Sequence, residues 1–168
     1  MLALLFDPRG RIESGPFLKA VLIILAVQWG LGLPGAIGAM AVVVLLLGLL
    51  SLPFTYALIC VWVKRLRGAG RSGWWVLAVL LACFILGMLL VLPVWLVFVV
   101  LTFGDIPSEI RDGGSLAELA ETLEARRWVL TLGSLVIHTL SLAIPLAVAV
   151  IADRELTEES SRRAVGPA

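Results

Sequence analysis

Residues 64–75 read Lys-Arg-Leu-Arg-Gly-Ala-Gly-Arg-Ser-Gly-Trp-Trp. This basic stretch is the longest break in the otherwise apolar first hundred residues, and it carries four positive charges. Apolar runs lie on both sides of it, at residues 36–63 and 74–103. Apolar runs of about 18 residues or more are typical of membrane-spanning helices. The basic stretch therefore predicts a short polar connection between two membrane-spanning helices.

The whole chain has the composition of a membrane protein. Its 168 residues are 61% hydrophobic and its mean hydropathy is +1.08, whereas soluble domains are about 45–50% apolar. Two further apolar runs lie at residues 17–33 and 128–151. We predict an all-α polytopic membrane protein with four transmembrane helices and no separate soluble domain. The first run could instead be a cleavable signal, but the long segment of mixed charge before it favours a span.

Prolines inside the two longest runs predict kinks rather than helix ends. A helix over residues 36–63 would be about 42 Å long against about 30 Å of hydrocarbon, so tilt or a kink at Pro53 must absorb the excess. The run at residues 74–103 holds Pro93, and a split there would create a fifth span. The residues after Pro93 make only about 15 Å of helix, half the hydrocarbon thickness. We therefore predict one bent crossing and four spans in all.

Two polar segments flank the last run. Residues 104–127 are acidic, and the Ser-Leu-Ala-Glu sequence at 115–118 fits a helix capping box that leads into a narrow leucine stripe. This pattern predicts a short amphipathic extracytoplasmic helix before the last span. Residues 152–168 are charged and rich in Ser and Glu, which predicts a disordered cytoplasmic tail. Residues 1–103 then form a three-span module, and residues 128–151 form the fourth transmembrane helix.

The positions of Lys and Arg predict how the chain is threaded. With four spans, both termini and the basic stretch share one side, which holds ten of the 13 Lys and Arg residues. Lys and Arg accumulate on the cytoplasmic side of bacterial spans. We therefore predict a multi-pass, positive-inside protein of the bacterial inner (plasma) membrane with cytoplasmic N- and C-termini. Trp62, Trp74, Trp75 and Trp128 stand at the ends of runs, where an interfacial aromatic belt is expected.

The basic stretch and its flanks also match a sequence motif that is shared by other proteins. The matching positions are Pro53, Arg65, Leu66, Gly70, Ser72, Gly73 and Trp74, with Gly10-Arg11-Ile12 near the start of the chain. In these residues the chain resembles the bacterial family called domain of unknown function 805, whose members are small inner-membrane proteins. The resemblance covers roughly residues 6–103, and it implies a membrane module with no established activity. Arg67-Gly68 replaces a His-Asp pair of the family pattern, and residues 104–151 have no counterpart in it.

The basic stretch is the first candidate for a binding site. Basic residues near an anionic leaflet are worth about 1 kcal/mol each. Gly68, Gly70 and Gly73 would let backbone amides turn toward a phosphate. We predict that anionic lipid head groups or a partner membrane protein bind here. The candidate residues are Lys64, Arg65, Arg67, Arg71, Ser72, Trp74 and Trp75. The alternative is a plain cytoplasmic turn, basic because of topology and aromatic because it lies at an interface.

The second candidate is a polar face on the last run. Its members recur at spacings of three and four and are Thr131, Ser134, His138 and Ser141. His138 is the single histidine of the chain, and the spans hold no carboxylate, so a proton relay or a metal site lacks partners. We predict an intramembrane polar seam that packs against other helices. Cys60 and Cys83 fall at different depths, which predicts two free thiols rather than a disulfide.

The spans hold no set of nucleophile, base and orienting group. We therefore predict a non-enzymatic membrane module without a cofactor or a metal. Its expected partners are anionic membrane lipids and either another membrane protein or a second copy of the chain, but not nucleic acid. The alternative function is a small-solute transporter or channel subunit in which the polar face of the last helix lines a path. A channel would need polar faces on several helices, and only two runs show them, which favours the binding module.

Overall fold

The computed structural model describes residues 6–38, 40–103, 121 and 124–165, and this part of the chain contains four long helices. We number them α1 (Ser14–Ala36), α2 (Ala41–Gly68), α3 (Trp75–Phe103) and α4 (Arg127–Val165). All four are long and apolar enough to cross a membrane. The predicted all-α class with four transmembrane helices is confirmed, and the chain is an integral, multi-pass membrane protein. The amphipathic helix predicted before the last span falls outside the described residues.

α1 continues past Pro34, which directly follows the apolar run of residues 17–33. Pro34 lies inside the helix, which ends at Ala36, and Gly38 follows with a φ of 79°. A proline this close to a helix end removes a single backbone hydrogen bond, whereas the left-handed conformation of Gly38 turns the chain away from the helix axis. The break therefore falls after Ala36 rather than at Pro34, and α2 begins at Ala41.

α3 is a single helix with a proline in its interior. It runs unbroken from Trp75 to Phe103 and includes Pro93. The alternative in which this run splits at Pro93 into two spans is therefore wrong. Pro53 and Pro145 likewise lie inside α2 and α4. Transmembrane helices tolerate such prolines because neighbouring groups can satisfy the one carbonyl that each proline leaves free.

α4 extends well beyond the predicted end of the last span. The helix continues through Val165, so the prediction of a disordered tail is wrong for residues 152–165. The reason is tertiary packing. Ala149, Asp153 and Leu156 follow one another at spacings of four and three, share one face of the helix, and are all buried. The charged composition that suggested disorder belongs to the other faces of the same helix.

The protein core lies at the end of the bundle where α2 ends. Phe17 of α1 and Trp62 of α2 are both buried and meet edge to face, with ring centroids 4.9 Å apart. α1 packs against α2 and α4, and α3 packs mainly against α4. Trp62 is thus a core residue rather than the interfacial residue that the sequence suggested, whereas Trp74, Trp75 and Trp128 are exposed.

The same end of the bundle gathers three distant parts of the chain. Ser14 at the start of α1, Arg65 near the end of α2 and Asp153 in α4 are in hydrogen-bond contact. An even number of crossings between Arg65 and Asp153 is needed to return the chain to the same side. α3 and the membrane-spanning part of α4 supply these two crossings. The predicted sharing of one end by the basic stretch and the C-terminal part of the chain is therefore confirmed.

Candidate functional site

The C-terminus of α2 closes in a Schellman motif that shapes the basic stretch. Gly70 has a φ of 76°, and its N–H donates to the Arg67 carbonyl at 3.1 Å, while the Arg71 N–H donates to the Leu66 carbonyl at 2.8 Å. The left-handed conformation costs other residues about 1–2 kcal/mol, so glycine suits this position. The amides of Gly70 and Arg71 donate to protein carbonyls, in contrast to the expectation that glycine-rich backbone would turn its amides toward a phosphate.

The segment before α1 crosses this end of α2. Ile12 is buried, and its carbonyl oxygen lies 2.9 Å from the point where a Cβ on Gly68 would stand. A side chain at position 68 would therefore push the two segments apart. Arg67 Nη1 also donates to the Pro8 carbonyl at 3.1 Å. The crossing brings Arg11 to the same surface as Arg67.

A cleft of about 420 Å³ opens where these two segments meet. We call it the arginine cleft, and its lining consists of Gly10, Arg11, Arg67, Gly70 and Arg71. Within the described part of the chain, no acidic residue lines it. Three arginine residues around one concave surface create a positive potential that attracts anions. Guanidinium groups also match the geometry of phosphate oxygens, because they donate paired hydrogen bonds.

Arg71 is shared between the arginine cleft and α4. Its Nη2 lies 2.9 and 2.8 Å from the two carboxylate oxygens of Glu159, and its Nε lies 3.2 Å from one of them. The guanidinium also stands over the ring of Trp75, 5.2 Å from its centroid. The side chains of Arg71 and Glu159 remain 37% and 32% exposed, so water screens their attraction. The pair orients Arg71 more than it stabilises the fold.

Arg65 lies inside the protein, although the sequence analysis placed it among the lipid-binding residues. Its Nε lies 2.5 Å from Asp153 Oδ1, and its Nη2 donates to Thr157 Oγ1 at 2.6 Å. Ser14 donates to the other carboxylate oxygen of Asp153. The side chains of Arg65 and Asp153 are 8% and 5% exposed, and we call them the buried ion pair. This pair ties α2 to α4 and, through Ser14, to α1.

The remaining predicted residues of the basic stretch have structural positions outside the cleft. Lys64 is buried and interacts within the protein. Ser72 caps the start of α3, because its carbonyl accepts from the Trp75 N–H at 3.1 Å and its hydroxyl accepts from the Trp74 N–H at 3.4 Å. Trp74 is 78% exposed and contributes an aromatic surface next to the basic end of the bundle.

Arg71 also lines a second cavity, of about 590 Å³, between α2, α3 and the C-terminal part of α4. Its wall is apolar where Trp62, Leu66 and Val79 contribute, and charged where Glu159 and neighbouring residues of α4 contribute. Charges of both signs stand on its rim, and two of its carboxylates already pair with arginines. The cavity therefore lacks the excess of one charge that distinguishes the arginine cleft.

The polar seam of α4 is only partly directed at other helices. His138 Nε2 lies 3.1 Å from the Trp29 carbonyl oxygen of α1. Because a carbonyl oxygen only accepts, His138 is the donor. The His138 ring occupies the space beside Gly32. Thr131 and Ser134 are half-buried, whereas Ser141 is exposed and donates to the Ile137 carbonyl of its own helix at 2.8 Å. The structure thus brings one member of the predicted seam into direct hydrogen-bond contact with another helix.

Two hydrogen bonds between helices involve polar residues outside the predicted seam. Trp29 Nε1 donates to Thr139 Oγ1 at 3.2 Å, and Gln28 Nε2 donates to Thr55 Oγ1 at 3.0 Å. A cavity of about 290 Å³ between α1, α2 and α4 lies beside them and includes Gln28 and His138 in its lining. The described residues contain no group of three His, Cys, Asp or Glu side chains suited to a metal ion.

Three acidic and polar partners at the basic end of the bundle, Asp153, Thr157 and Glu159, were likewise not predicted. The even number of membrane crossings could have predicted them. Four crossings place the C-terminal part of the chain beside the basic stretch, so its carboxylates face the arginines of that stretch. Comparisons of the chain with models of known protein families, with curated proteins and with solved structures found no match.

Proposed function

We propose that this integral membrane protein is a non-enzymatic module that binds an anionic phosphate head group in the arginine cleft. The single observation that carries the proposal is the lining of that cleft, where Arg11, Arg67 and Arg71 meet without an acidic residue among the described lining residues. The binding residues differ from those that the sequence suggested. Arg11 joins the site, and Lys64 and Arg65 leave it because both are buried.

The position of the cleft supports a ligand at the membrane surface. It lies at the end of α2, next to the exposed aromatic rings of Trp74 and Trp75, which favour the boundary between hydrocarbon and water. We assign this end to the cytoplasmic side of a bacterial plasma membrane, following the excess of Lys and Arg there. Anionic head groups give such a leaflet a negative surface potential, and each arginine near it contributes about 1 kcal/mol to binding.

The resemblance to the domain of unknown function 805 family is part of the same proposal. Residues that carry the motif have specific structural positions at this end of the bundle. Arg65 forms the buried ion pair, Gly70 takes the left-handed position that closes α2, and Ser72 caps α3. Proteins that share this motif would share the conformation of the connection between α2 and α3. The ligand would depend on the residues around it, such as Arg11 and Arg67.

The test compares two arginine variants of the purified protein. Arg67→Gln removes one side chain of the cleft, and Arg154→Gln removes an equal charge from an exposed site, where Arg154 pairs with Glu158 on α4. Protein is reconstituted in lipid nanodiscs, and binding of phosphatidic acid and of phosphatidylglycerol is measured by native mass spectrometry. We expect about fivefold weaker binding for Arg67→Gln, from about 1 kcal/mol at 1.4 kcal/mol per tenfold, and little change for Arg154→Gln.

Two results would contradict the proposal. Equal binding by the wild type and Arg67→Gln would mean that the arginine cleft is not the site. Equal losses in Arg67→Gln and Arg154→Gln would mean that the protein attracts anionic lipid only through its overall charge. Binding of a soluble phosphate such as glycerol phosphate, measured by calorimetry in detergent, distinguishes a lipid head group from a free phosphate as the ligand.

A small-solute path is the second candidate function. The observation that favours it is the cavity between α1, α2 and α4, whose lining includes Gln28, Ser51 and His138 within the membrane-spanning part of the bundle. Flux of small polar solutes into proteoliposomes, compared between the wild type and a Gln28→Leu variant, tests it. Identical flux with and without protein would leave the cavity as a packing feature.

A further inference from the structure

Arg71 belongs to the arginine cleft and also binds the C-terminal part of α4. Arg71 lines the cleft, and its guanidinium binds both carboxylate oxygens of Glu159. A phosphate in the cleft that bound the Arg71 guanidinium would need the N–H groups that Glu159 already occupies. Carboxylate and phosphate bind guanidinium with the same paired geometry, so the two anions are alternatives rather than additions.

We propose that Glu159 is an internal competitor for the arginine cleft, and that a bound phosphate draws Arg71 away from Glu159 and loosens the last turns of α4. This inference rests on the proposed function, because it requires that a phosphate enters the cleft. Glu159 then sets the affinity of the site. The C-terminal turns of α4 report whether the site is occupied.

The exchange is feasible because the pair is exposed. The side chains of Arg71 and Glu159 retain 37% and 32% of their accessible surface, and exposed pairs contribute little to stability. The buried ion pair, by contrast, holds α4 six residues earlier at Asp153, with side chains 8% and 5% exposed. Leu156 is also packed in the core. Thr157 Oγ1 also accepts from Arg65 Nη2 at 2.6 Å. Loosening should therefore begin after Thr157 and leave the rest of α4 in place.

The charges of the cleft point to a phosphomonoester as the preferred ligand. Three arginines face the ligand, and Glu159 compensates one of them, which leaves two positive charges to be balanced. A phosphomonoester carries about −1.5 to −2 charges at neutral pH and offers three acceptor oxygens. A phosphodiester carries one charge and two such oxygens. The monoester can therefore engage Arg11 and Arg67 and still outcompete the carboxylate of Glu159 for Arg71.

The experiment uses the full chain in nanodiscs with three variants. Glu159→Gln removes the competitor, Glu155→Gln removes an equal charge one turn earlier on α4, and Arg67→Gln removes a cleft residue. We expect Glu159→Gln to bind phosphatidic acid about two- to fivefold more tightly than the wild type, and Glu155→Gln to bind like the wild type. We also expect the wild type to prefer phosphatidic acid to phosphatidylglycerol at equal molar content.

Hydrogen exchange provides the second readout. Backbone amides of residues 158–165 should exchange faster when the wild type binds phosphatidic acid, while those of residues 145–153 should not change. Soluble glycerol phosphate at saturating concentration should produce the same change if a free phosphate is the ligand, and no change if only a lipid head group reaches the cleft.

The binding measurements distinguish the competition by Glu159 from the proposed phosphate-binding function. Equal binding by Glu159→Gln and Glu155→Gln, together with weaker binding by Arg67→Gln, would overturn the competition and leave the proposed function standing. Equal binding by the wild type and Arg67→Gln would overturn the proposed function itself. Phosphatidylglycerol binding as tight as phosphatidic acid binding would overturn the preference for a phosphomonoester.

Discussion

The buried ion pair offers a quantitative test of what holds α4 to the bundle. Arg65 and Asp153 are almost fully enclosed, and removing one partner leaves the other charge buried without its counter-ion. Such a loss costs about 3–5 kcal/mol of unfolding free energy. Arg65→Met and Asp153→Leu should therefore each destabilise the protein by that amount.

The double variant should behave differently from the sum of the single variants. When both charges are replaced by apolar side chains, no uncompensated charge remains, and buried pairs exchanged in this way are often neutral or more stable than the original. Arg65→Met/Asp153→Leu should therefore recover most of the stability that either single variant loses. The Arg71–Glu159 pair provides the matched comparison, because its exposure predicts a cost below about 1 kcal/mol for Arg71→Met.

The assay is reversible unfolding in mixed micelles with increasing denaturing detergent, followed by tryptophan fluorescence and circular dichroism. Tryptophan fluorescence is informative because Trp62 is buried in the core. A cost below 1 kcal/mol for Arg65→Met, equal to that of Arg71→Met, would refute the reasoning. A double variant that loses the sum of both single losses would also refute it, because the two charges would then act independently.

Two further predictions concern other parts of the chain. Gly32→Ala should displace the His138 ring and lower the unfolding free energy. Gly30→Ala, two residues earlier on the same helix, places its methyl group in open space and should leave the unfolding free energy unchanged. Equal unfolding midpoints for the two variants would contradict the close approach of Gly32 and His138. A reporter active only in the periplasm should be inactive when fused after Val165 and active when fused within residues 104–120, and the reverse pattern would invert the assigned orientation.

The number of spans could be predicted because apolar runs are local features of the sequence. The run before the basic stretch and the run after it each became one helix, and Pro93 did not divide the second. Length decided that case, since ten residues after a proline cannot cross the hydrocarbon. The precise end of α1 depended on Gly38 rather than on Pro34, because a left-handed residue ends a helix more effectively than a proline in its last turn.

The pairing of charges at the basic end could not be predicted because it depends on side chains that are distant in sequence. Asp153 stands 88 residues from Arg65, and only the packed bundle brings them together. The composition of residues 152–168 suggested disorder because Asp153 and Leu156, which continue the buried face of Ala149, are a small minority among exposed charges. Their spacing of four and three was present in the sequence, but a buried aspartate does not resemble part of an apolar stripe.

The distribution of Lys and Arg predicts the orientation of the chain in the membrane, but it does not predict which of these residues bind a ligand. Orientation is set by Lys and Arg as the chain enters the membrane, and acidic residues contribute little to it. In the folded bundle the same arginines meet carboxylates on the same side, and Arg65 and Arg71 both pair with residues of α4. A charge that directs topology can therefore be neutralised afterwards. The predicted four-cation site therefore included Lys64 and Arg65, which are buried in the folded protein. It did not include Arg11, which lines the arginine cleft although it lies more than fifty residues away in sequence.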